Sequence, residues 1–331
     1  MESQNRHTWI DNSRGIGILL VVYGHMLSSG SFMYNWIYSF HVPLFFFLAG
    51  YVFKERPFTV VLKRSGLRLM LPYFAFAIFT YIFWFVIGRR VGVGVDTTSP
   101  LMALTGVFLG SNWGDYLVFN RPLWFLPGMF CMVAFHSFIS PVFKNRWSLF
   151  VIAATLSIYA SYTLATLPMP VPLSFLNGLA FYPYFVLGKS LANIDFTSLT
   201  ASCSRLWTLA GLLITHFALF YIAIYVHLES SAYFLLPYCG IAMIVYGAVI
   251  MGNIRIMSWL GKNTLPILCL HGIFTGAVRA LLVKAEFLFS ICEVDSFIIL
   301  LGVMLICVPV CYLLRRYMPW SIGEIDSKTK V

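Results

Sequence analysis

Long apolar runs alternate with short polar stretches along most of the chain. Ten of them, near 15–33, 36–53, 69–88, 122–142, 147–168, 173–191, 206–228, 231–251, 264–283 and 296–314, approach or exceed the ~20 residues a helix needs to cross a hydrocarbon core. A shorter apolar stretch at 101–110 is too short to cross as a helix. The pattern predicts an all-α polytopic membrane protein with about ten transmembrane helices.

Composition removes the competing classes. The 331 residues are 60% hydrophobic and 10% charged, where a soluble domain carries about 25% charged residues. Mean hydropathy is +0.84.

The net charge of +10 invites a nucleic-acid reading, but the placement of the basic residues argues for topology. With the N-terminus inside, only Arg89, Arg90, Arg121, Arg279 and Lys284 of the 22 Lys and Arg fall outside, and the other 17 fall on the inner side. That asymmetry follows the positive-inside rule. Counting 101–110 as a span would send Lys144, Arg146, Lys189 and Arg205 outside. The segment 89–121 therefore reads as an outer loop with a re-entrant or surface helix near 101–110, and both termini read as cytoplasmic. The first run lacks a small-residue cleavage site, so no cleavable signal peptide is expected. Seven cysteines (131, 203, 239, 269, 292, 307 and 311) form no CxxC, so neither disulfides nor a metal site is expected. No repeat or long linker divides residues 1–331, which read as one domain.

Ionisable groups inside apolar runs mark functional candidates. Arg14 and His25 are eleven residues apart, close to three helical turns, so they share a face about 16 Å apart along the axis. Asp11 precedes Arg14 by three residues and can pair with it. By the same arithmetic His41 and His271 lie at heights similar to His25. His136 and His216 do too, so depth alone does not choose among the five. For each, the ordinary alternative is an interhelical hydrogen bond.

Sequence context narrows the choice. The stretch Asp11-Asn-Ser-Arg-Gly-Ile-Gly-Ile-Leu-Leu-Val-Val-Tyr-Gly-His25 resembles the opening of the acyltransferase-3 family, integral membrane proteins that acylate carbohydrates and other acceptors. Phe40-His-Val-Pro-Leu-Phe-Phe-Phe-Leu-Ala-Gly50 resembles the family's second-span signature, and Lys63-Arg-Ser-Gly-Leu-Arg-Leu-Met-Leu-Pro-Tyr73 the basic approach to its third span. Pro122-Leu-Trp-Phe-Leu126 is similar to its mid-chain motif, and Gly261-Lys-Asn-Thr-Leu-Pro-Ile-Leu-Cys-Leu-His271 to its late asparagine-to-histidine segment. The nearest flavour is the branch similar to fucose and polysaccharide O-acetylases. Two departures stand out. Arg64 and Arg68 are four apart where the family often has arginines three apart, and Ala49 stands where it often has serine.

The resemblance implies an O-acetyltransferase of the bacterial cytoplasmic (inner) membrane. It would use acetyl-CoA, without a metal, to acetylate a cell-surface carbohydrate or its lipid-linked precursor. His25 is then the general base or transient acyl carrier, suited by an imidazole pKa of about 6.5, with Arg14 and Asp11 beside it. Lys63, Arg64 and Arg68, with Arg14, are the donor-phosphate candidates, since arginine presents a planar fork to phosphate oxygens. Inside-positive anchoring is their ordinary alternative. The pantetheine arm would reach the ~16 Å from Arg14 to His25. His41, Trp124, His271 and Asn263 are expected to line the substrate site. The ordinary alternatives are an aromatic-belt position for Trp124 and a helix cap for Asn263. A proton-coupled transporter or flippase is the competing class. Such folds are usually built from internal repeats, and the chain shows no matching halves.

Overall fold

The computed structural model describes residues 2–91, 98–143, 145–197, 205–225, 231–287 and 292–324. Lys144, Lys328, Lys330, His227 and Cys203, residues 92–97 of the expected outer loop and the end of the seventh apolar run lie outside them. The described residues form helices and turns without strands. In order these are α1 (Glu2–Gly24), α2 (Phe32–Tyr38), α3 (His41–Val52), α4 (Phe58–Ser65), α5 (Leu71–Phe83), α6 (Pro100–Leu109), α7 (Phe125–Ile139) and α8 (Arg146–Thr166). They are followed by α9 (Phe175–Ala180), α10 (Tyr182–Ser190), α11 (Arg205–Tyr225), α12 (Ser231–Ile250), α13 (Arg255–Lys262), α14 (Thr264–Lys284) and α15 (Cys292–Tyr317).

Among the described residues, six helical stretches are long and apolar enough to cross a membrane: Phe58–Gly88, Arg121–Val142, Arg146–Thr166, Arg205–Ile224, Thr264–Lys284 and Glu293–Tyr317. Pro100–Leu109 and Leu235–Ile250 are shorter apolar helices. Large apolar side chains on these helices stay exposed, among them Trp207 at 81% and Leu305 at 75%, as lipid-facing surfaces do. The chain is a multi-pass helical membrane protein.

Three of the expected runs are not continuous helices. The run 15–33 is helical only to Gly24, because Ser28-Ser-Gly-Ser31 supplies a turn: Gly30 takes φ +85° and Ser31 caps α2 through the Tyr34 amide. The run 36–53 breaks at Ser39–Phe40 between α2 and α3. The run 173–191 breaks at Phe181 between α9 and α10.

The chain divides into two compact units. One comprises Met1–Phe53, Tyr184–Thr264 and Phe289–Leu300, and the other Lys54–Pro183, Leu265–Leu288 and Leu301–Val331. In the first unit α1 packs along α13 and also meets α12 and α3, while α11 packs on α12. The α1–α13 contact is backbone to backbone: a Cβ on Gly15 would strike the Met257 carbonyl, and one on Gly261 the Asp11 carbonyl. Small residues that permit such approach drive helix pairing where lipid removes the hydrophobic incentive. Fully buried Asn12 adds polar glue, donating to the carbonyls of Ala248 (3.2 Å) and Gly252 (2.7 Å). Interhelical hydrogen bonds of this kind are worth about 0.6–2 kcal/mol.

In the second unit α4 and α5 are joined by a π turn over Gly66–Met70, where the Leu71 amide bonds back to the Gly66 carbonyl. Helix α7 packs against α4, this turn and α9, and α8 packs against α9. The short helix α6 runs back along α5. Tyr81 donates to the Pro100 carbonyl at its start (3.2 Å), and Tyr73 to the Val107 carbonyl near its end (2.9 Å). The 101–110 stretch thus retraces about two turns of α5. Tyr73, Ala77, Ala103, Leu123 and Cys269 form the buried core beneath.

Candidate active site

The first unit collects five of the sequence candidates. Helix α1 carries Asp11 and Arg14 and delivers His25 immediately after its last residue. Helical bonding continues through that point, since the His25 amide bonds to the Val21 carbonyl at 3.1 Å, so the three-turn spacing from Arg14 holds. The helix end is closed by α15: Ser296 Oγ donates to the Met26 carbonyl at 3.0 Å, supplying a partner that a terminal carbonyl otherwise lacks.

The His25 ring is oriented by its own helix. Its Nδ1 lies 3.0 Å from the Val21 carbonyl. A carbonyl only accepts, so Nδ1 carries the proton and the lone pair of the neutral ring sits on Nε2. Tyr38 stacks on this imidazole with ring centres 6.0 Å apart and its hydroxyl 3.2 Å from Nδ1. The other edge of Tyr38 meets His41 at 4.6 Å, and Tyr34 stacks against it at 4.0 Å. His25 and His41 therefore flank one tyrosine. His41 is buried, with Nδ1 on the Ile37 carbonyl at 2.9 Å. It repeats the His25 arrangement. Tyr38 was not among the sequence candidates. Its signal was available in Tyr34 and Tyr38, four apart on the short helix that precedes His41.

At the other end of α1, Asp11 sits 3.8 Å from Lys262 of α13 and acts electrostatically on Arg14. The half-buried guanidinium of Arg14 makes no hydrogen bond or salt bridge to any described residue. The sequence allows Asp11 to pair with Arg14, and Asp11 acts on Lys262 as well as on Arg14, because Gly261 lets α13 close on α1. Asn263 is buried and sends Nδ2 to the Trp259 carbonyl at 2.7 Å. It secures the end of α13 rather than the start of the span that follows.

The second unit holds the other candidates. Lys63, Arg64 and Arg68 are all exposed and form no ion pair with a described residue. A π turn carries i→i+5 bonds, so residues four and five apart stay on one side of it. Arg64 and Arg68 therefore still share a face. Trp124 is half-buried against Phe125 and Phe181, each at 6.2 Å, and over Gly128. Its surroundings fit packing. His271 is fully buried, with Nδ1 on the carbonyls of Ile267 (3.1 Å) and Leu268 (2.8 Å). Beside it on α14, Asn120 Nδ2 donates to the Cys269 carbonyl at 2.7 Å.

His136 and His216 differ. His136 Nδ1 meets the Tyr182 hydroxyl at 3.2 Å and its Nε2 lies 3.9 Å from Glu55. His216 is enclosed by the rings of Trp36 (5.8 Å) and Phe40 (5.2 Å). Among the described residues, no group of three or more His, Cys, Asp or Glu is placed to hold a metal.

A family model described as an acyltransferase domain matches residues 7–316. The chain belongs to the acyltransferase-3 family. No curated protein and no solved structure gives a significant match. Membership makes this chain a membrane acyltransferase. The match takes in every sequence candidate, from Asp11 to His271.

Proposed function

We propose that this acyltransferase moves an acetyl group from acetyl-CoA to a hydroxyl of a cell-surface carbohydrate or its lipid-linked precursor, at the bacterial inner membrane. The observation that carries the reading is the 3.0 Å contact between His25 Nδ1 and the Val21 carbonyl. An imidazole whose Nδ1 proton is spent on its own helix presents a basic Nε2, the atom that general base catalysis needs. That nitrogen takes the proton of the acceptor hydroxyl as its oxygen attacks the thioester carbonyl. The C–S bond breaks, and the proton leaves with the thiolate. Acetyl-CoA supplies the activated acyl group and three phosphate positions.

Tyr38 holds the His25 ring in its plane, and His41 supports Tyr38 from the far side. Arg14, half-buried without a hydrogen-bond partner on the same helix face as His25, is suited to an anion. The exposed fork of Arg64 and Arg68 is suited to donor phosphates, with Lys63 adding charge. Asp11 and Asn263 act by positioning, through Lys262 and through the end of α13.

The test uses the full chain, purified in lipid nanodiscs with acetyl-CoA and a panel of glycosides, with acetyl esters detected by mass spectrometry. Ester formation that needs both protein and glycoside is the expected result. Acetyl-CoA left unconsumed with every acceptor would overturn the reading.

A further inference from the structure

The second unit contains a cleft of about 310 Å³ between the segment after α6 and the loop between α8 and α9. None of the sequence motifs falls in it. Ser111, Asn112 and Trp113 line one side; Leu167, Met169 and Asn177 line the other. Its volume lies at the lower end of the ~300–1,000 Å³ typical of small-molecule sites. No lining residue is charged, so an anionic ligand has no counter-ion there.

Two of the polar side chains that line it are unspent. The side-chain amides of Asn112 and Asn177 make no hydrogen bond to any described residue, and each offers an acceptor oxygen and two N–H donors. Trp113 is 39% exposed, and an indole face is electron-rich. Sugar rings match this combination: their hydroxyls donate and accept together, and their axial C–H faces meet aromatic π-faces.

The cleft is also braced. Ser111 Oγ accepts from the Trp113 amide at 3.3 Å, fixing the segment that carries the indole. Ser174 Oγ donates to the Gly110 carbonyl at 2.7 Å, tying the two sides together. Leu173 and Ser174, four and three residues before Asn177, are held at φ 54° and 47°. Non-glycine residues in that region cost about 1–3 kcal/mol and cluster at ligand sites.

We infer that this cleft is a saccharide subsite, in which Trp113 stacks on a neutral pyranose and Asn112 and Asn177 bond its hydroxyls. The inference rests on the carbohydrate-acceptor reading above and gives it a place in the chain.

The experiment uses the full chain in nanodiscs and methyl glycosides of glucose, galactose, N-acetylglucosamine and rhamnose as probes. Binding is read by saturation-transfer difference NMR, and turnover by acetyl ester formation. At least one glycoside should bind wild type. Trp113→Ala should weaken it about tenfold and Trp113→Phe far less, because phenylalanine keeps a π-face. Asn177→Ala should weaken binding without altering inserted abundance, and covers the case in which Trp113→Ala fails to fold. In turnover the loss should appear in KM and leave kcat within about twofold. No binding to wild type, or binding indifferent to both Trp113→Phe and Asn177→Ala, would overturn the subsite. A glycoside acetylated with unchanged KM in Trp113→Ala would also overturn it and leave the function intact. Trp113-dependent binding without acetylation of any glycoside would keep the subsite and sink the carbohydrate-transferase reading.

Discussion

Span arithmetic gives five histidines similar expected depths, yet their surroundings fall into two kinds. His25, His41 and His271 each place Nδ1 on the backbone carbonyl four residues earlier. His136 instead meets a tyrosine hydroxyl, and His216 is packed between aromatic rings. A backbone carbonyl has no proton to give, so it favours the Nδ1–H form, whereas a hydroxyl serves either form as donor or acceptor. The difference teaches that depth in the apolar run does not separate the five, while the partner of Nδ1 does. These three rings are also the ones that fall in the stretches resembling the family.

Removing the imidazole from His25 tests that division most severely. His25→Ala should lower acyl transfer by ~10²–10⁴-fold, the usual cost of losing a general base, with inserted protein at normal abundance. Retention of more than about a tenth of wild-type turnover would take His25 out of the role assigned to it. Next in size is the donor end. Arg68→Ala should weaken acetyl-CoA affinity about tenfold or more, and Arg68→Lys should restore only part, because an ammonium keeps charge and loses the fork. Full affinity in the lysine variant, with alanine harming only abundance, would reduce these residues to topology signals.

A smaller loss is expected at Tyr38. Tyr38→Phe keeps the stack and removes the hydroxyl near Nδ1, so turnover should fall only about two- to fivefold, within the range of one modest hydrogen bond. A loss as large as that of His25→Ala would mean the tyrosine handles the proton itself. The smallest effect belongs to the ring-packed kind. His216→Phe should leave turnover within about twofold, since an aromatic ring of similar shape refills the space between Trp36 and Phe40. A severe loss there would collapse the division between the two kinds.

Much of this molecule was legible before any coordinates. Composition fixed the class, and the order of short motifs from Asp11 to His271 pointed to the family. Hydropathy did less well at helix boundaries. It read 15–33 as one run although Ser28, Ser29, Gly30 and Ser31 carry turn chemistry, because apolar neighbours outweigh four small residues in a long window. The Arg14–His25 spacing survived because both lie before that turn. The pairing of Asp11 with Lys262 was not legible. It depends on the approach of Gly15 to Met257 and of Gly261 to Asp11, residues remote in sequence whose closeness no local pattern encodes. Tyr38 was overlooked for a simpler reason: an aromatic next to an apolar run reads as packing until its neighbour is known. Asn263 differs again: its observed bond goes back to the Trp259 carbonyl at the end of α13, whereas the expected cap was at the start of the span that follows.

The π turn at Gly66–Met70 makes chain length itself a constraint. One residue more than an α turn is held there, between the basic face of α4 and the Tyr73 face of α5. Deleting a single residue would let the two helices merge into a regular one and rotate one face against the other by about 100°. Composition and hydropathy would barely change. Arg64 and the core around Tyr73 could then no longer both keep their settings, so in this segment a deletion should be less tolerable than most substitutions.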